Sequence, residues 1–274
     1  MKVLITGITG TLGTALTDYI IANTNWDIVG LSRDEQKQYN FTAASRYPDR
    51  VHLLLGDVRN SKTVVRALEG VSYVYHLAAL KCVDVLEAFP AEAYATNYVG
   101  TENIVNALAP NQKLIFVSTD KAVKPINAYG YSKAMAEKLV LSNNNYTVCR
   151  YGNVLGSRGS VLPKFIHQIK TRSAMEITHT EMTRFWISAE DVVEFVFEGY
   201  LRTGLHIPKM KAASVVRVAK TLQKIFDATN NIGVSQIRPG EKLHEDITEA
   251  VNSKNAEQYS DVELENLLRR VLCV

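Results

Sequence analysis

The sequence predicts an α/β protein: a doubly wound parallel sheet followed by a smaller C-terminal lobe. Three observations carry that prediction. Short apolar runs recur at residues 3–6, 27–31, 51–55, 73–77, 114–117 and 146–151, the pattern of buried parallel strands. Helical stretches follow the first, third, fourth and fifth of these runs, as crossover connections require. Glycines stand at positions 7, 10 and 13, directly after the first run and before a helix to about residue 22.

Bulk properties narrow the classes. A chain of 274 residues has room for one large or two modest domains. Apolar residues make up 46% and charged residues 22%, the balance of an ordinary globular protein. A net charge of +3 gives no basic patch for nucleic acid or an anionic membrane surface, so neither is expected as a partner. No run of 18 apolar residues occurs, so no transmembrane helix is expected. The chain enters its first strand at Lys2 without the regions of a signal peptide. Cys82, Cys149 and Cys273 are odd in number and far apart, with no CxxC or Cys/His cluster. A reducing cytoplasm and no metal site are the resulting expectations.

Taken in order, the first strand leads into Gly7-Ile8-Thr9-Gly10-Thr11-Leu12-Gly13. Glycines in this spacing allow a tight turn and let backbone N–H groups approach a pyrophosphate at the helix N-terminus, a Rossmann-type dinucleotide site. The second strand ends in Ser32-Arg33-Asp34-Glu35. A carboxylate at that tip holds a ribose 2′-hydroxyl, whereas an arginine accommodates a 2′-phosphate. Ser32 and Arg33 come first, with Lys37 to assist, so NADP is favoured; Asp34 keeps NAD open. The third strand ends at Gly56-Asp57-Val58, where Asp57 either meets the adenine amino group or caps the helix from Ser61. The fourth leads into Ala78-Ala79-Leu80-Lys81, small residues that let backbone run close beneath a cofactor, with Lys81 pointing to the same crevice. Asn97, inside a helix expected over 91–108, reads as structural support for the site.

The fifth strand ends in Ser118-Thr119-Asp120-Lys121, at the carboxyl edge where open α/β sheets bind ligands. A helix then opens at Tyr129-Gly130-Tyr131-Ser132-Lys133, with Tyr129 and Lys133 one turn apart on the same face. A tyrosine beside an ammonium is a potential base, because a nearby cation favours the phenolate over its ordinary value near 10. After residue 152, Gly152-Asn153-Val154-Leu155-Gly156-Ser157-Arg158-Gly159-Ser160 marks a change in character. The expected division is therefore 1–152 for the dinucleotide unit and 153–274 for most of the second lobe. A helix at about 189–201 is expected to pack back on the sheet.

Together these motifs resemble those of the inverting UDP-N-acetylglucosamine 4,6-dehydratases, in the extended short-chain dehydrogenase/reductase superfamily. Besides the turns above, the matching stretches are Arg150-Tyr151-Gly152-Asn153-Val154, Gly156-Ser157-Arg158-Gly159-Ser160, Met182-Thr183-Arg184-Phe185-Trp186 and Arg238-Pro239-Gly240-Glu241-Lys242. The resemblance runs from residue 2 to about Glu245. The chain departs from it at Cys82, where members commonly carry His, and at His179-Thr180, where they carry Asp-Pro.

What the resemblance implies is oxidation of a UDP-sugar at C4, loss of water across C5 and C6, and return of the hydride to C6 on tightly held NADP. Tyr129, helped by Lys133 and Thr119, takes the 4-hydroxyl proton. Lys121 is the base at C5 and Asp120 the acid for the departing hydroxyl, which calls for a dry pocket favouring neutral forms of both. Arg184 and Arg238 are the implied phosphate ligands, and Asn153 and Glu241 the implied polar contacts to the nucleotide-sugar. A homo-oligomer, dimer or hexamer, is also implied. Two rivals stand beside this reading: a UDP-sugar epimerase on the same scaffold and a non-catalytic NADP-sensing module.

Overall fold

In the computed structural model, residues 1–44 and 49–274 are described. The main sheet uses β1 (Lys2–Thr6), β2 (Asp27–Ser32), β3 (Val51–Leu55), β4 (Tyr73–His76), β5 (Lys113–Thr119) and β6 (Thr147–Tyr151). Further strands are β7 (Asn153–Val154), β8 (Met175–Ile177), β9 (Thr183–Ile187), β10 (Gly204–His206), β11 (Lys211–Ser214) and β12 (Ile232–Val234). The order β10-β6-β5-β4-β1-β2-β3 is parallel throughout. Chain direction along the sheet reverses between β1 and β4, which opens a crevice at their carboxyl ends. The predicted fold class is thus the observed one.

Helices cover both faces: α1 (Thr11–Asn23), α2 (Glu35–Ala44), α3 (Ser61–Ala67), α4 (Val83–Ala88), α5 (Pro90–Ala93), α6 (Gly100–Ala107) and α7 (Ala128–Leu141). Later come α8 (Val161–Lys170), α9 (Ala189–Phe197), α10 (Val215–Phe226) and α11 (Asp261–Leu272). The single helix expected over 91–108 is interrupted by a π-helical turn at Tyr94–Val99 that contains Asn97. Such turns recur at functional sites. Asn97 there bonds Leu80 main chain at both ends, accepting from its N–H (2.8 Å) and donating to its carbonyl (2.9 Å), which fixes the loop after β4.

Apolar clusters lie on both faces of the main sheet. One joins Ile5, Leu16 and Ile20 to Val192 and Val196, so α9 packs beside α1. The other centres on Leu4, Val74, Phe116 and Val140. With β10 added beside β6, chain beyond residue 152 returns twice to the sheet. A third cluster, with Phe165, Trp186, Leu222 and Leu268, forms the core of the C-terminal part. Helix α10 shows why: Val215, Val218, Ala219 and Leu222 fall at helical spacing and are all buried. Among the described residues, no helix is long and apolar enough to cross a membrane.

Candidate active site

The glycine-rich turn has the shape a dinucleotide needs. Gly7 has φ +69°, and a Cβ there would lie 2.9 Å from the Ala78 backbone, so only glycine lets the turn sit on the β4 loop. Helix α1 starts at Gly10 with no side-chain cap and no acidic residue in its first turn. Its leading N–H groups, at Thr11, Leu12 and Gly13, thus face the carboxyl edge of the sheet ready for phosphate. The Arg158 guanidinium donates to the Thr9 carbonyl (2.5 Å), and Lys81 Nζ donates to Ser157 Oγ (3.3 Å). The 156–160 loop therefore lies across the turn, and Arg158 joins the site although the sequence reading gave it no role. Burial and the charge of Arg158 both hold Lys81 below its ordinary value.

The floor of this crevice is tied by a buried histidine. Thr6 Oγ1 accepts from the N–H groups of Leu77 and Ala78, each at 3.1 Å, so its own proton goes to His76 Nδ1 at 2.7 Å. Thr101 Oγ1 gives its proton to the Asn97 carbonyl, so it must accept from His76 Nε2, 3.0 Å away. Both ends demand a neutral imidazole protonated at Nε2. Burial and the nearby Lys133 push its pKa down to about 3.

At the β2 tip the Asp34 carboxylate accepts from the Lys37 backbone and pairs with Lys37 Nζ at 2.6 Å. Lys37, expected to assist the cofactor, is thereby held by Asp34. Arg33 is half exposed and touches Asp57 only loosely, at 3.4 Å. Asp57 is engaged by Arg59, which donates to it from Nη2 at 2.7 Å and from its backbone N–H. Burial alone would raise the Asp57 pKa, but the hydrogen bonds and charge of Arg59 hold it below the carboxylate range. Of the two uses expected of Asp57, the helix cap falls instead to Asn60, and the carboxylate accepts from Arg59. The Val58 side chain is core, packed against Gly100. Ser32 is buried, its hydroxyl accepting from Gln38 (3.1 Å), and in the β4 loop Ala78 is partly covered while Ala79 is exposed.

The acid–base residues converge where β5 meets α7. A Cβ on Gly130 would lie 2.3 Å from the Lys121 carbonyl, so this glycine lets the first turn of α7 rest on the turn at Asp120–Ala122. Asn127 caps α7 by accepting from Gly130 N–H (2.7 Å) and ties it to the Gly240 carbonyl (2.7 Å). Asp120 is fully buried; its Oδ1 accepts from Thr119 Oγ1 (3.0 Å) and Lys121 Nζ (3.0 Å). Lys121 Nζ also donates to Asn153 Oδ1 (3.3 Å) and lies 3.3 Å from Glu245 Oε1. Burial raises the Asp120 pKa above the carboxylate range against the opposing charge of Lys121. For Lys121, burial favours the neutral amine, but the two carboxylates outweigh it and hold the ammonium. In the ligand-free protein the proton therefore stays on Lys121, with Glu245 as a second buried carboxyl group beside the amine.

Tyr129 is partly buried beside Thr119 and Lys121, both of which favour its phenolate. Burial pushes its pKa up to about 12 against the attraction of Lys121, so the expected depression does not arise in the ligand-free protein. Lys133 is buried, donates to the Val117 carbonyl (2.6 Å) and sits 3.8 Å from the centre of the Phe116 ring. Desolvation lowers it to about 7.

The remaining sugar-nucleotide candidates divide. Arg184 is buried on β9 and donates to the carbonyls of Thr183 (2.7 Å), Leu243 (3.1 Å) and Lys242 (2.8 Å). It also faces Glu241 (3.6 Å) and Glu245 (3.9 Å), so its hydrogen bonds run inward, and the phosphate role expected of it is corrected to holding this loop. Arg238 is half exposed and paired with Asp84 at 2.7 Å. Asn153 belongs to the Lys121 cluster. Glu245, 2% exposed, is the principal residue that sequence reasoning missed. Nothing in its neighbourhood of the chain marks it, because the amine it faces, Lys121, lies more than a hundred residues earlier. Among the described residues, no group of three or more His, Cys, Asp or Glu could hold a metal ion.

The fold is that of the extended short-chain dehydrogenases/reductases. Pen from Bacillus thuringiensis superposes with a TM-score of 0.91 at 28% identity, covering 100% of this chain and 98% of that one. DesIV, the dTDP-glucose 4,6-dehydratase of Streptomyces venezuelae, gives 0.84 at 18% identity over 98% of this chain and 96% of that one, a likeness of fold alone. The chain belongs to the polysaccharide biosynthesis protein family, which it matches over residues 3–266. Among curated relatives, a UDP-glucose 4-epimerase of Rickettsia rickettsii (strain Sheila Smith) is 41% identical, covering 94% of this chain and 80% of the relative. Its counterpart in Rickettsia canadensis (strain McKiel) is 42% identical over the same shares. The names of these relatives are those of the rival reading, not of the dehydratases.

Proposed function

We propose that this chain is an NADP-dependent nucleotide-sugar 4,6-dehydratase acting on UDP-N-acetylglucosamine with inversion at C5. One observation carries the reading: a buried Asp120–Lys121–Glu245 cluster adjoins Tyr129 and Thr119. A 4-epimerase must move one proton at the 4-hydroxyl, a task for Tyr129. Loss of water needs in addition a base for C5–H and an acid for the 6-hydroxyl. Burying ionised groups costs several kcal/mol each even after relaxation, so a second acid–base set is more readily explained by chemistry than by stability.

The turn at Gly7–Gly13, with Lys81 and Arg158 over it, fits the diphosphate of the cofactor, and Arg33 fits a 2′-phosphate. When bound, the nicotinamide accepts a hydride from the sugar and later returns it. Tyr129 receives the 4-hydroxyl proton; Lys121 and Thr119 favour its phenolate against the burial that holds the ligand-free phenol protonated. Once C4 is a ketone the C5 hydrogen is acidic; Lys121 removes it while Asp120 protonates the departing 6-hydroxyl. Asp120 suits that task because burial favours its protonated form. Arg238 and Glu241 stand at the rim for the UDP half, with residues 1–152 holding the cofactor and 153–274 most of the sugar nucleotide.

The second reading, a UDP-sugar 4-epimerase, is favoured by the names of the curated relatives. Mass spectrometry after incubation with UDP-N-acetylglucosamine separates the two. A product lighter by one water is expected; a product of unchanged mass, inverted at C4, would refute the dehydratase.

A further inference from the structure

The cluster contains one carboxylate more than the proposed reaction uses. An ammonium has three N–H donors, and Lys121 Nζ has three oxygens around it: Asp120 Oδ1 at 3.0 Å, Asn153 Oδ1 at 3.3 Å and Glu245 Oε1 at 3.3 Å. Resting Lys121 therefore has no lone pair for a C5 proton. Two buried oxygens of the cluster have no hydrogen-bond partner, Asp120 Oδ2 and Glu245 Oε2. An unpartnered buried carboxylate oxygen is where a proton relieves the most desolvation. The first is the natural place for the proton that Asp120 gives to the leaving hydroxyl. The second has no use in that scheme.

We infer that Glu245 is a positioning residue that acts through Lys121, taking the ammonium's proton when substrate closes the site and so leaving an amine facing C5. This rests on the dehydratase reading. The protons balance. Lys121 ammonium and Glu245 carboxylate become amine and carboxylic acid; the amine takes the C5 proton as the C6–O bond breaks; Asp120 gives its proton to the hydroxyl, which leaves as water. Lys121 is then again an ammonium, Glu245 a carboxylic acid and Asp120 a carboxylate. Passage of one proton from Glu245 through Lys121 to Asp120 restores these three groups; the hydride returned to C6 is matched by a proton added at C5 from the opposite face, equal in number to the one that Tyr129 took from the 4-hydroxyl. The charged or titratable groups facing Lys121 are Asp120 beside it, Glu245 and Arg184 from the C-terminal part, Tyr129 on α7 and Lys81 after β4.

The test is Glu245→Gln in the full chain. In ligand-free protein with isotope-labelled lysines, the Lys121 resonance is identified by its absence in Lys121→Met. Its acid constant should rise at least tenfold on replacing Glu245. In single turnovers with UDP-N-acetylglucosamine, C4 oxidation should stay within about threefold, while water loss at neutral pH falls about 100-fold, the scale of one proton-transfer group. That defect should shrink as pH rises, because solvent can then remove the Lys121 proton before the site closes. Glu245→Asp should recover most of the rate, and it serves as the readout if the Gln protein does not fold. Water loss at the wild-type rate, or equally slow at every pH, would overturn the proposal, as would an unmoved Lys121 titration. Should the wild type yield only an isomer, the dehydratase reading fails, while the titration still reports whether Glu245 controls Lys121.

Discussion

His76 gives a stability prediction whose size can be worked from the structure. The imidazole is 1% exposed and bonded at both nitrogens to threonine hydroxyls. It titrates at about 3 when folded against 6.5 when free, so between those values the unfolded chain binds the extra proton. Stability contributed by the neutral form is complete above 6.5 and is lost as pH falls toward 3. Lowering pH from 7 to 5 crosses roughly 1.5 units below the free value, or about 2 kcal/mol at 1.36 kcal/mol per unit. That figure depends little on the folded value so long as it stays well below 5. The perturbation is His76→Gln, which leaves a buried threonine hydroxyl short of a partner and should cost about 1–3 kcal/mol at pH 7. It also removes the titration, so urea unfolding at pH 7 and pH 5 should show the gap between the two proteins narrowing by about 2 kcal/mol. Carboxylates that titrate over the same range are common to both proteins and cancel. An equal gap at both pH values would refute the buried neutral imidazole, as would nitrogen chemical shifts placing its proton on Nδ1.

Three further outcomes follow from the site. Tyr129→Phe should slow C4 oxidation at least about 100-fold in single turnovers while unfolding at the same urea concentration; normal oxidation would remove Tyr129 as the base. Arg33→Ala should weaken NADP roughly tenfold to a hundredfold, one charge-assisted contact, and leave NAD nearly unchanged, because Asp34 is already paired with Lys37. Fluorescence titrations with the two reduced cofactors read this, and equal weakening of both would contradict it. Gly130→Ala places a methyl 2.3 Å from the Lys121 carbonyl and should cost about 1–3 kcal/mol in urea unfolding while lowering turnover; a fully stable, fully active variant would mean that this contact does not set the Tyr129–Lys121 geometry.

The sheet was readable because its evidence is local. Apolar runs with glycine turns at their ends specify parallel strands without reference to anything distant, and β1 to β6 formed where those runs lie. What the pattern could not reveal was use made of distant chain. Nothing in residues 204–206 says that they add a seventh strand beside β6. The helix over 91–108 was legible by period, whereas its π turn answers to Asn97 reaching Leu80, a tertiary demand with no signature in the helix itself.

The site follows the same division. Thr119, Asp120, Lys121, Tyr129 and Lys133 fall within 15 residues, so a strand end and one helical turn suffice to bring them near each other. Their proton states were not legible, because each is set by what closes over them. Isolated, Asp120 and Lys121 form a pair that can neutralise itself by one transfer. With Glu245 brought in 3.3 Å from Lys121, a second carboxyl group stands beside the amine, and the lysine stays charged while burial favours the protonated form of Asp120. Arg184 is the counterpart: in the sequence it is an exposed-looking cation suited to phosphate, yet its strand delivers it under residues 241–245, where it bonds three carbonyls and faces both glutamates. A buried guanidinium that leaves Glu245 within reach of Lys121 makes the loop part of the acid–base apparatus. The chemistry proposed for the β5 edge then depends on a segment whose own residues carry no catalytic pattern.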